Sequence, residues 1–412
     1  MIKTILPGSS LPDGRQPTLG VLGGGQLGRM FVQAAQRMGY FTAVLDPDPA
    51  SPAGQVSQYH ISADYLDEQG LAQLMQRCAA ITTEFENVPA QVLVTLGSQR
   101  PVAPSAESVG TAQDRRQEKA MFAECAAQSG VQPVPYAVIE TEADIAEVAA
   151  NLLPGILKTA RLGYDGKGQV KVTTPAQLLE AWTQLKNVPC VLEQLASLAT
   201  ECSVIVARGA QGSMVTLPVA RNVHIDGILA VSEVLEGNLP QALIERAQAA
   251  TKSIAESLEY IGVLCVEFFI LKDATGGVSD ASVLVVNEMA PRPHNSGHWS
   301  MDGCDVSQFE LQVRTLCGLH LPQPRQHSAS IMLNLLGDLW FDKAASIGPA
   351  QVAKSPDWAS VLALPGTHLH LYGKLDARRG RKMGHLNITA ASTEAARATA
   401  KAAAQILGLQ YS

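Results

Sequence analysis

Val283-Leu-Val-Val-Asn-Glu-Met-Ala-Pro-Arg-Pro-His-Asn-Ser-Gly-His298 begins as a β-branched and aliphatic run, which reads as a short buried strand. It delivers an amide and a carboxylate side by side, Asn287 and Glu288, and then meets Pro-Arg-Pro. Two prolines fix φ twice and remove two backbone donors, so Arg292 is held on a stiff loop. His294, Asn295, Ser296 and His298 crowd the next positions. A core strand that stops on a carboxylate and opens into a rigid loop of cation, imidazoles and amide has the make-up of a site wall.

A second strand matches it upstream. Gly262-Val-Leu-Cys-Val-Glu-Phe-Phe-Ile270 is apolar throughout except for Glu267. A carboxylate inside such a run needs compensation, from a buried ion pair or from a metal. The two strands are expected to lie antiparallel, with Glu267 and Glu288 converging. Two carboxylates and an amide are hard oxygen ligands that suit Mg²⁺ bridging substrate phosphates. Such a metal requires a phosphate-binding loop elsewhere in the chain.

The 412 residues allow two to four domains and a large core. Net charge is −7, and Arg378-Arg-Gly-Arg-Lys382 is the main basic cluster, which argues against a nucleic-acid partner. Apolar runs fall short of the roughly 20 residues a membrane helix needs. The N-terminal apolar stretch breaks at Pro7, too early for a secretory signal. The 7 cysteines are scattered and sit mostly in apolar segments, so neither a disulfide framework nor a zinc site is expected. A soluble cytoplasmic protein is the expectation.

Towards the N-terminus, residues 1–17 read as a loose extension and Thr18-Leu-Gly-Val-Leu22 as the first strand. Gly23-Gly-Gly-Gln-Leu-Gly28 then opens a helix through residue 38, and Asp46 ends the next strand, 41–45. This G-x-G-x-x-G turn is the dinucleotide-binding fingerprint and, alone, would favour a nicotinamide-dependent oxidoreductase. The βα alternation continues with a helix over 67–77, a strand over 80–83, a helix over 89–97 and a short strand over 101–103. Glu84 and Glu86 fall at the carboxyl end of a parallel strand, where open α/β sheets bind ligands. Whether one of them contacts a ligand or caps a helix stays open at this level. Four strands in this space make a small Rossmann-like unit rather than a complete dehydrogenase.

From residue 113 the chain does not resemble a dehydrogenase's catalytic half. Residues 113–119 open a helix, and 134–139 form a strand. Lys158 ends another strand, and Gly163-Tyr-Asp-Gly-Lys-Gly-Gln169 is a glycine-punctuated turn between strands 156–159 and 170–172. A glycine-rich hairpin beside a strand-borne lysine is suited to covering a triphosphate. Strands 190–195 and 201–207 each carry a glutamate, Glu193 and Glu201, able to meet ribose hydroxyls beside an adenine edge. Residues 221–227 read as a polar turn, whose His224 is either a ligand contact or a solvated histidine. A long amphipathic helix is expected over 240–258. Near the C-terminus, strands are expected over 330–336, 367–374 and 383–389, and a helix over 393–407. Lys374, Arg379, Arg381 and Lys382 alternate with glycines there, as either a solvated face or a phosphate site.

The lysine strand, glycine-rich hairpin, glutamate strands and closing Glu…Asn-Glu resemble the ATP-grasp superfamily. Gly-Gly-Gly-Gln-Leu-Gly, Thr-Glu-Phe-Glu-Asn-Val-Pro, Tyr-Asp-Gly-Lys-Gly-Gln, Asn-Glu-Met-Ala-Pro-Arg-Pro-His-Asn-Ser-Gly-His and Arg381-Lys-Met-Gly-His385 are similar to the N5-carboxyaminoimidazole ribonucleotide synthetase family. The likeness runs from about residue 18 onward. It departs at Ala160 and Leu162, where the family often has Arg and Gly.

The resemblance implies an α/β and α+β chain: a Rossmann-like domain over 18–112, an ATP-grasp domain over 113–327 and a small β-rich domain over 328–412. It implies ATP and Mg²⁺ as cofactors, aminoimidazole ribonucleotide and bicarbonate as substrates, and a homodimer. ATP would contact Arg115, Lys158, Tyr164, Asp165, Gly166, Lys167, Gly168 and Gln169. Glu193, Gln194, Leu195, Ala196, Glu201, His224, Asn287 and Glu288 would complete its site, with Glu267 and Glu288 on the metal. Arg292, His294, Asn295 and Lys374 would bind bicarbonate and carboxyphosphate, while Asp165 orients the substrate amine. Gln26, Leu27, Glu84, Glu86, Arg381 and Lys382 would hold the ribonucleotide. Two rivals stay open: a formate-using transformylase of the same superfamily, and the nicotinamide oxidoreductase.

Overall fold

The computed structural model describes residues 4–11, 14–163, 168–341 and 354–411. Strands β1 (Thr18–Leu22), β2 (Phe41–Leu45), β3 (Tyr59–Ile61) and β4 (Ala80–Thr83) form a parallel sheet in the order β3-β2-β1-β4. The fourth strand expected at 101–103 is only a bridge from Val102 to Ile81, and Tyr59–Ile61 takes the fourth place. Pro101 and Pro104 flank that segment, and a proline cannot donate to a ladder.

The helix Gln26–Arg37 follows β1 through the glycine turn, as its sequence requires, but the anion site at its N-terminus is already filled. Glu84, just past β4, accepts the N–H of Gly25 at 2.5 Å and of Gly28 at 2.8 Å. Asp46 accepts the N–H of Gly24 and the hydroxyl of Tyr65, both at 2.7 Å. The glycines make room for these carboxylates. Gly23 has φ +96, and a Cβ there would meet Glu84 Cγ at 2.5 Å. The fingerprint is therefore closed internally, with Glu84 as a helix cap.

A second sheet, order β5-β8-β6-β7, is antiparallel throughout: β5 (Tyr136–Ile139), β6 (Gly155–Thr159), β7 (Gln169–Val172) and β8 (Cys190–Gln194). The third is the largest. It runs β14 (Leu284–Ala290), β13 (Gly262–Leu271), β9 (Leu198–Arg208), β11 (Ala220–Ile225), β12 (Ile228–Val234), β15 (Ala329–Leu336), β17 (Lys382–Ala390), β16 (Thr367–Leu371), with β10 (Met214–Thr216) beside β9. The C-terminal strands thus continue the central sheet, with β15 pairing β12. The polar turn expected over 221–227 is mostly strand β11, and the chain reverses only at Asp226 (φ 51) and Gly227 (φ 77). Its polar residues face partners across the sheet, as in Arg221 with Glu233 at 2.6 Å.

Helices Arg115–Ser129 and Gln241–Ser257 cover one face of this sheet through Phe122, Leu243, Ile254 and Leu264. Helix Thr393–Leu407 buries four alanines (396, 400, 403 and 404) under the C-terminal strands. Helix Gln308–Leu316 is shared: Leu311 packs on the large sheet, while Val313 and Leu316 pack with Leu19 and Phe31 of the first domain. No helix among the described residues is long and apolar enough to cross a membrane.

Replacing Glu84 by Ala should lower the unfolding midpoint by an amount equivalent to about 1–2 kcal/mol, the scale of a lost N-terminal cap. Calorimetric titration of the unmodified chain with NAD should give no saturable heat, because the pyrophosphate's place is taken. Micromolar NAD binding would refute this reading of the turn.

Candidate active site

The site is built around one bulge. Glu267 on β13 sits opposite Glu288 on β14, but Phe268 then pairs with Val286, so Asn287 is the extra residue. A bulge re-aims side chains and interrupts the ladder. Helix Arg115–Ser129 supplies what the ladder loses. Arg115, Glu118 and Lys119, spaced i, i+3 and i+4, share one face. Lys119 Nζ donates to the carbonyl of Asn287 at 2.6 Å, Glu118 accepts the N–H of Met289 at 2.8 Å, and Arg115 pairs with Glu288 Oε2 at 3.0 Å. Burial pushes the Glu118 carboxyl up to about 7, against the pull of Arg115 and Lys119.

Glu267 meets His294 Nε2 through Oε1 at 3.0 Å. Burial opposes its charge, yet His294 brings it down to about 2. The ring of His294 is set by a run of hydroxyls and an amide: Ser232 to Asn222, Asn222 to Ser203, Ser203 to Ser296, and Ser296 to His294 Nδ1. Beside this pair, His224 Nδ1 lies 2.8 Å from Glu201. Burial works against a proton on His224, but Glu201 leaves its pKa raised. Glu201, His224 and Glu267 bring ligand atoms within 4.8 Å of one another.

The donor set fits a hard divalent cation. Glu267 and Glu288 each engage one carboxylate oxygen with a protein partner and leave the other for a ligand among the described residues. The Oδ1 of Asn287 is buried without a partner among the described residues. Cys265 also approaches Glu267 and His294, but burial holds its thiol well above its ordinary pKa, which makes it a poor thiolate ligand.

Lys158 ends β6 as expected and reaches the site, held by Glu193 at 2.7 Å; Lys119 grips the other oxygen of Glu193 at 3.0 Å. Burial raises the pKa of Glu193, but the two lysines lower it to about 2. Glu193 therefore anchors lysines instead of meeting a ribose. Gln194 ends β8, and Leu195 and Ala196 follow it, all three half-buried. The N–H groups of Gln194 and Leu195 are taken by Pro135 and Pro154, at 2.9 and 2.8 Å. Tyr164, Asp165, Gly166 and Lys167 lie outside the described residues. At the edge of that loop, Leu162 adopts φ 62, in the left-handed region that favours glycine.

Everything else converges on one cleft of about 990 Å³ between the first domain and the large sheet. Gly168, Gln169, Lys158, Glu201 and His224 line it together with Gln26, Leu27, Lys374, Arg381 and Lys382. Burial, with Arg381 nearby, brings the Lys374 ammonium down to about 8. Asn295 lines the cleft with both side-chain atoms buried and unpartnered among the described residues. Arg292 is not open to an anion on every side, because Glu86 holds it with Nε at 2.5 Å and Nη2 at 3.1 Å. This bidentate pair ties the first domain to the loop after β14. Sequence reading passed over Glu118 and Lys119; their i, i+3, i+4 spacing from Arg115, which puts three charges on one helix face, was the available signal.

A ribonucleotide synthetase preATP-grasp domain model matches residues 17–113, an ATP-grasp domain model 124–309, and a phosphoribosylaminoimidazole carboxylase C-terminal domain model 330–399. The chain is 40% identical to an N5-carboxyaminoimidazole ribonucleotide synthase of Brucella melitensis, over 90% of this chain and 95% of that one. It belongs to the N5-carboxyaminoimidazole ribonucleotide synthase family. The Bacillus subtilis enzyme is 36% identical over 89% of this chain and 90% of its own. Among solved structures, an ADP complex of such a synthetase superposes with TM-score 0.83 at 35% identity, covering 99% of both chains. The Aspergillus clavatus synthase with ADP and 5-aminoimidazole ribonucleotide superposes with TM-score 0.80 at 29% identity, covering 95% of this chain and 98% of that one. The recognition from motifs and the three-part α/β and α+β architecture both hold.

Glu86 sets an acid response. Burial opposes its charge, but Arg292 lowers its pKa from 4.5 to about 2. A depressed carboxylate contributes stability that is present above the unfolded value and is lost as pH falls through the folded one. Glu86→Gln should remove the part of the acid-induced loss that falls between about pH 4.5 and 2, read as a flatter melting-temperature profile. An unchanged profile would mean the pair adds no net stability.

Proposed function

We propose that this chain converts 5-aminoimidazole ribonucleotide, ATP and bicarbonate to N5-carboxyaminoimidazole ribonucleotide, ADP and phosphate, as a step of purine synthesis. The observation that carries it, together with family membership, is the single cleft lined by a carboxylate–amide cluster, a strand-borne lysine and a group of basic side chains. A bicarbonate oxygen attacks the γ-phosphorus of ATP, the bond to the β-phosphate oxygen breaks, and ADP leaves. The ribonucleotide amine then attacks the carboxyl carbon of carboxyphosphate, or of CO₂ released from it; the C–O bond to phosphorus breaks, inorganic phosphate leaves, and the amine loses a proton as the new C–N bond forms.

Phosphoryl transfer of this kind depends on positioning and charge neutralisation. Lys158, fixed by Glu193, neutralises phosphate oxygens beside Gly168 and Gln169, and Arg115 reaches the same end of the cleft. Glu201 and His224 serve the nucleotide's sugar end. Glu267, Asn287 and Glu288 would hold magnesium, which when bound offsets charge on the phosphates. His294, Asn295 and Arg292 receive the one-carbon anion. Lys374, with its lowered pKa, faces the same space, while Arg381 and Lys382 take the ribonucleotide phosphate and Gln26 and Leu27 its ribose end. Asp165 orients the amine. The chain acts in the cytoplasm as a homodimer in this reading.

Glu288→Gln keeps volume and the bond to Arg115 while removing charge. It should retain near-normal thermal stability and lose at least about two orders of magnitude in kcat, each tenfold being ~1.36 kcal/mol. Bicarbonate-dependent ADP release should fall in step with product. A destabilised variant with intact turnover per folded molecule would sink the metal assignment.

Arg381→Ala should raise the KM for aminoimidazole ribonucleotide by roughly ten- to a hundredfold, for about 1.5–3 kcal/mol of lost charge-assisted contact. The KM for ATP should stay in place. Equal weakening of both substrates would point to a structural role for Arg381 instead.

A further inference from the structure

Three imidazoles are stacked, and one of them, His298, lines the cleft. His370 on β16 lies on His385 of β17 with ring centres 4.6 Å apart and planes at 15°, and His385 lies on His298 at 4.6 Å and 35°. At the outer end, His370 Nε2 meets Asp302 Oδ2 at 2.8 Å, and Asn387 donates to the same oxygen at 2.7 Å. At the inner end, His298 is 1% exposed yet forms part of the cleft wall. Phe309 and Tyr372 pack around it, at 5.6 and 6.4 Å between ring centres, beside Leu27 of the first helix.

Gln308 decides which nitrogen of His298 carries the proton. Its Oε1 accepts the backbone N–H of His294 at 2.9 Å, so its amide nitrogen is the donor to the His294 carbonyl at 2.8 Å and to His298 Nδ1 at 3.0 Å. Nδ1 of His298 is thus an acceptor, and the proton of the neutral ring lies on Nε2. Burial disfavours an imidazolium here, and His294, His370, Lys382 and Arg292 add to that, holding the pKa well below its ordinary value. The other faces of the ring meet His385, Tyr372 and Phe309, and among the described residues no carboxylate bonds to it. Nε2 has no protein partner among the described residues, so it is the nitrogen left for a ligand.

We propose that His298 contacts substrate, donating its Nε2–H to an oxygen acceptor in the ribonucleotide half of the cleft, with Gln308 and the imidazole stack as its positioning residues. The proposal rests on the activity argued above. A neutral donor suits this place. It recognises an oxygen by direction without competing with Lys374, Arg381 and Lys382 for phosphate. The oxygen belongs either to a ribose hydroxyl or to the one-carbon acid, and kinetics separate the two.

Imidazole nitrogen spectra of the full chain labelled with ¹⁵N-histidine test the tautomer, with His298 assigned by its loss in His298→Phe. A protonated Nε2 and bare Nδ1 are expected, and the Nε2–H resonance should shift when aminoimidazole ribonucleotide or bicarbonate is added. The opposite tautomer, or no shift with either, overturns the proposal whether or not the chain turns over. In kinetics, His298→Phe keeps the stacked ring and should raise the KM of one of these two substrates about tenfold, the scale of one neutral hydrogen bond. The KM for ATP should not move, and His298→Gln should restore most of the loss. A rise for the ribonucleotide identifies the ribose, and a rise for bicarbonate the one-carbon acid. Unchanged kinetics, or equal impairment of both variants with a lowered melting temperature, overturns the contact. A wild-type chain without bicarbonate-dependent turnover overturns the activity reading instead, and the spectra then decide the contact alone.

Discussion

A charge removed from water has to be matched by a partner or a ligand, and the helix Arg115–Ser129 shows how much of this molecule obeys that constraint. Its first turn sends an arginine, a glutamate and a fully buried lysine into the bulge at Asn287. The lysine also reaches Glu193, which in turn holds Lys158. One helix face therefore aligns β14, β8 and β6, elements of two different sheets, through charges that none of them satisfies alone. Removing Lys119 would strip a partner from both Glu193 and the Asn287 carbonyl, so the geometry of the phosphate end is tied to the packing of the domain.

The same constraint shapes the first domain in a different way. Its glycine turn has the form of a phosphate cradle, yet the chain supplies the anions itself through Glu84 and Asp46. A motif that binds a ligand in one setting is here a structural joint. The ligand-facing surface moves onward, to Gln26 and Leu27 at the start of the helix, while Glu86 reaches across to Arg292. The cleft wall then carries two unlike groups of charge. Carboxylates can hold a cation against a nucleotide, and Lys374, Arg381 and Lys382 can neutralise a phosphate monoester.

Much of this was legible in order along the chain. Buried apolar strands interrupted by single carboxylates marked Glu267 and Glu288, and the residue pattern predicted that they lie on adjacent antiparallel strands, which their direct pairing bears out. The stiff Pro-Arg-Pro loop marked Arg292, His294 and Asn295, all of which line the cleft. Misreadings fell where a local pattern has two physical outcomes. Residues 221–227 are polar because β11 lies in a sheet whose neighbours answer each polar group, and single-strand periodicity does not reveal neighbours. Glu193 looked like a ligand on a strand because its lysine partners are 74 and 35 positions away in the chain.

The sequence by itself determined the βα alternation of the first domain, the apolar strands of the large sheet and the residue types available for chemistry, since periodicity and backbone propensity are local properties. The motifs also determined family membership. Only the tertiary structure decided which carboxylates remain for a ligand and which are spent on internal partners. Glu84 caps a helix, Glu193 clamps two lysines and Glu86 holds an arginine, while Glu267 and Glu288 keep an oxygen each. That division depends on distances between residues remote in the chain, and electrostatic pairing acts through space.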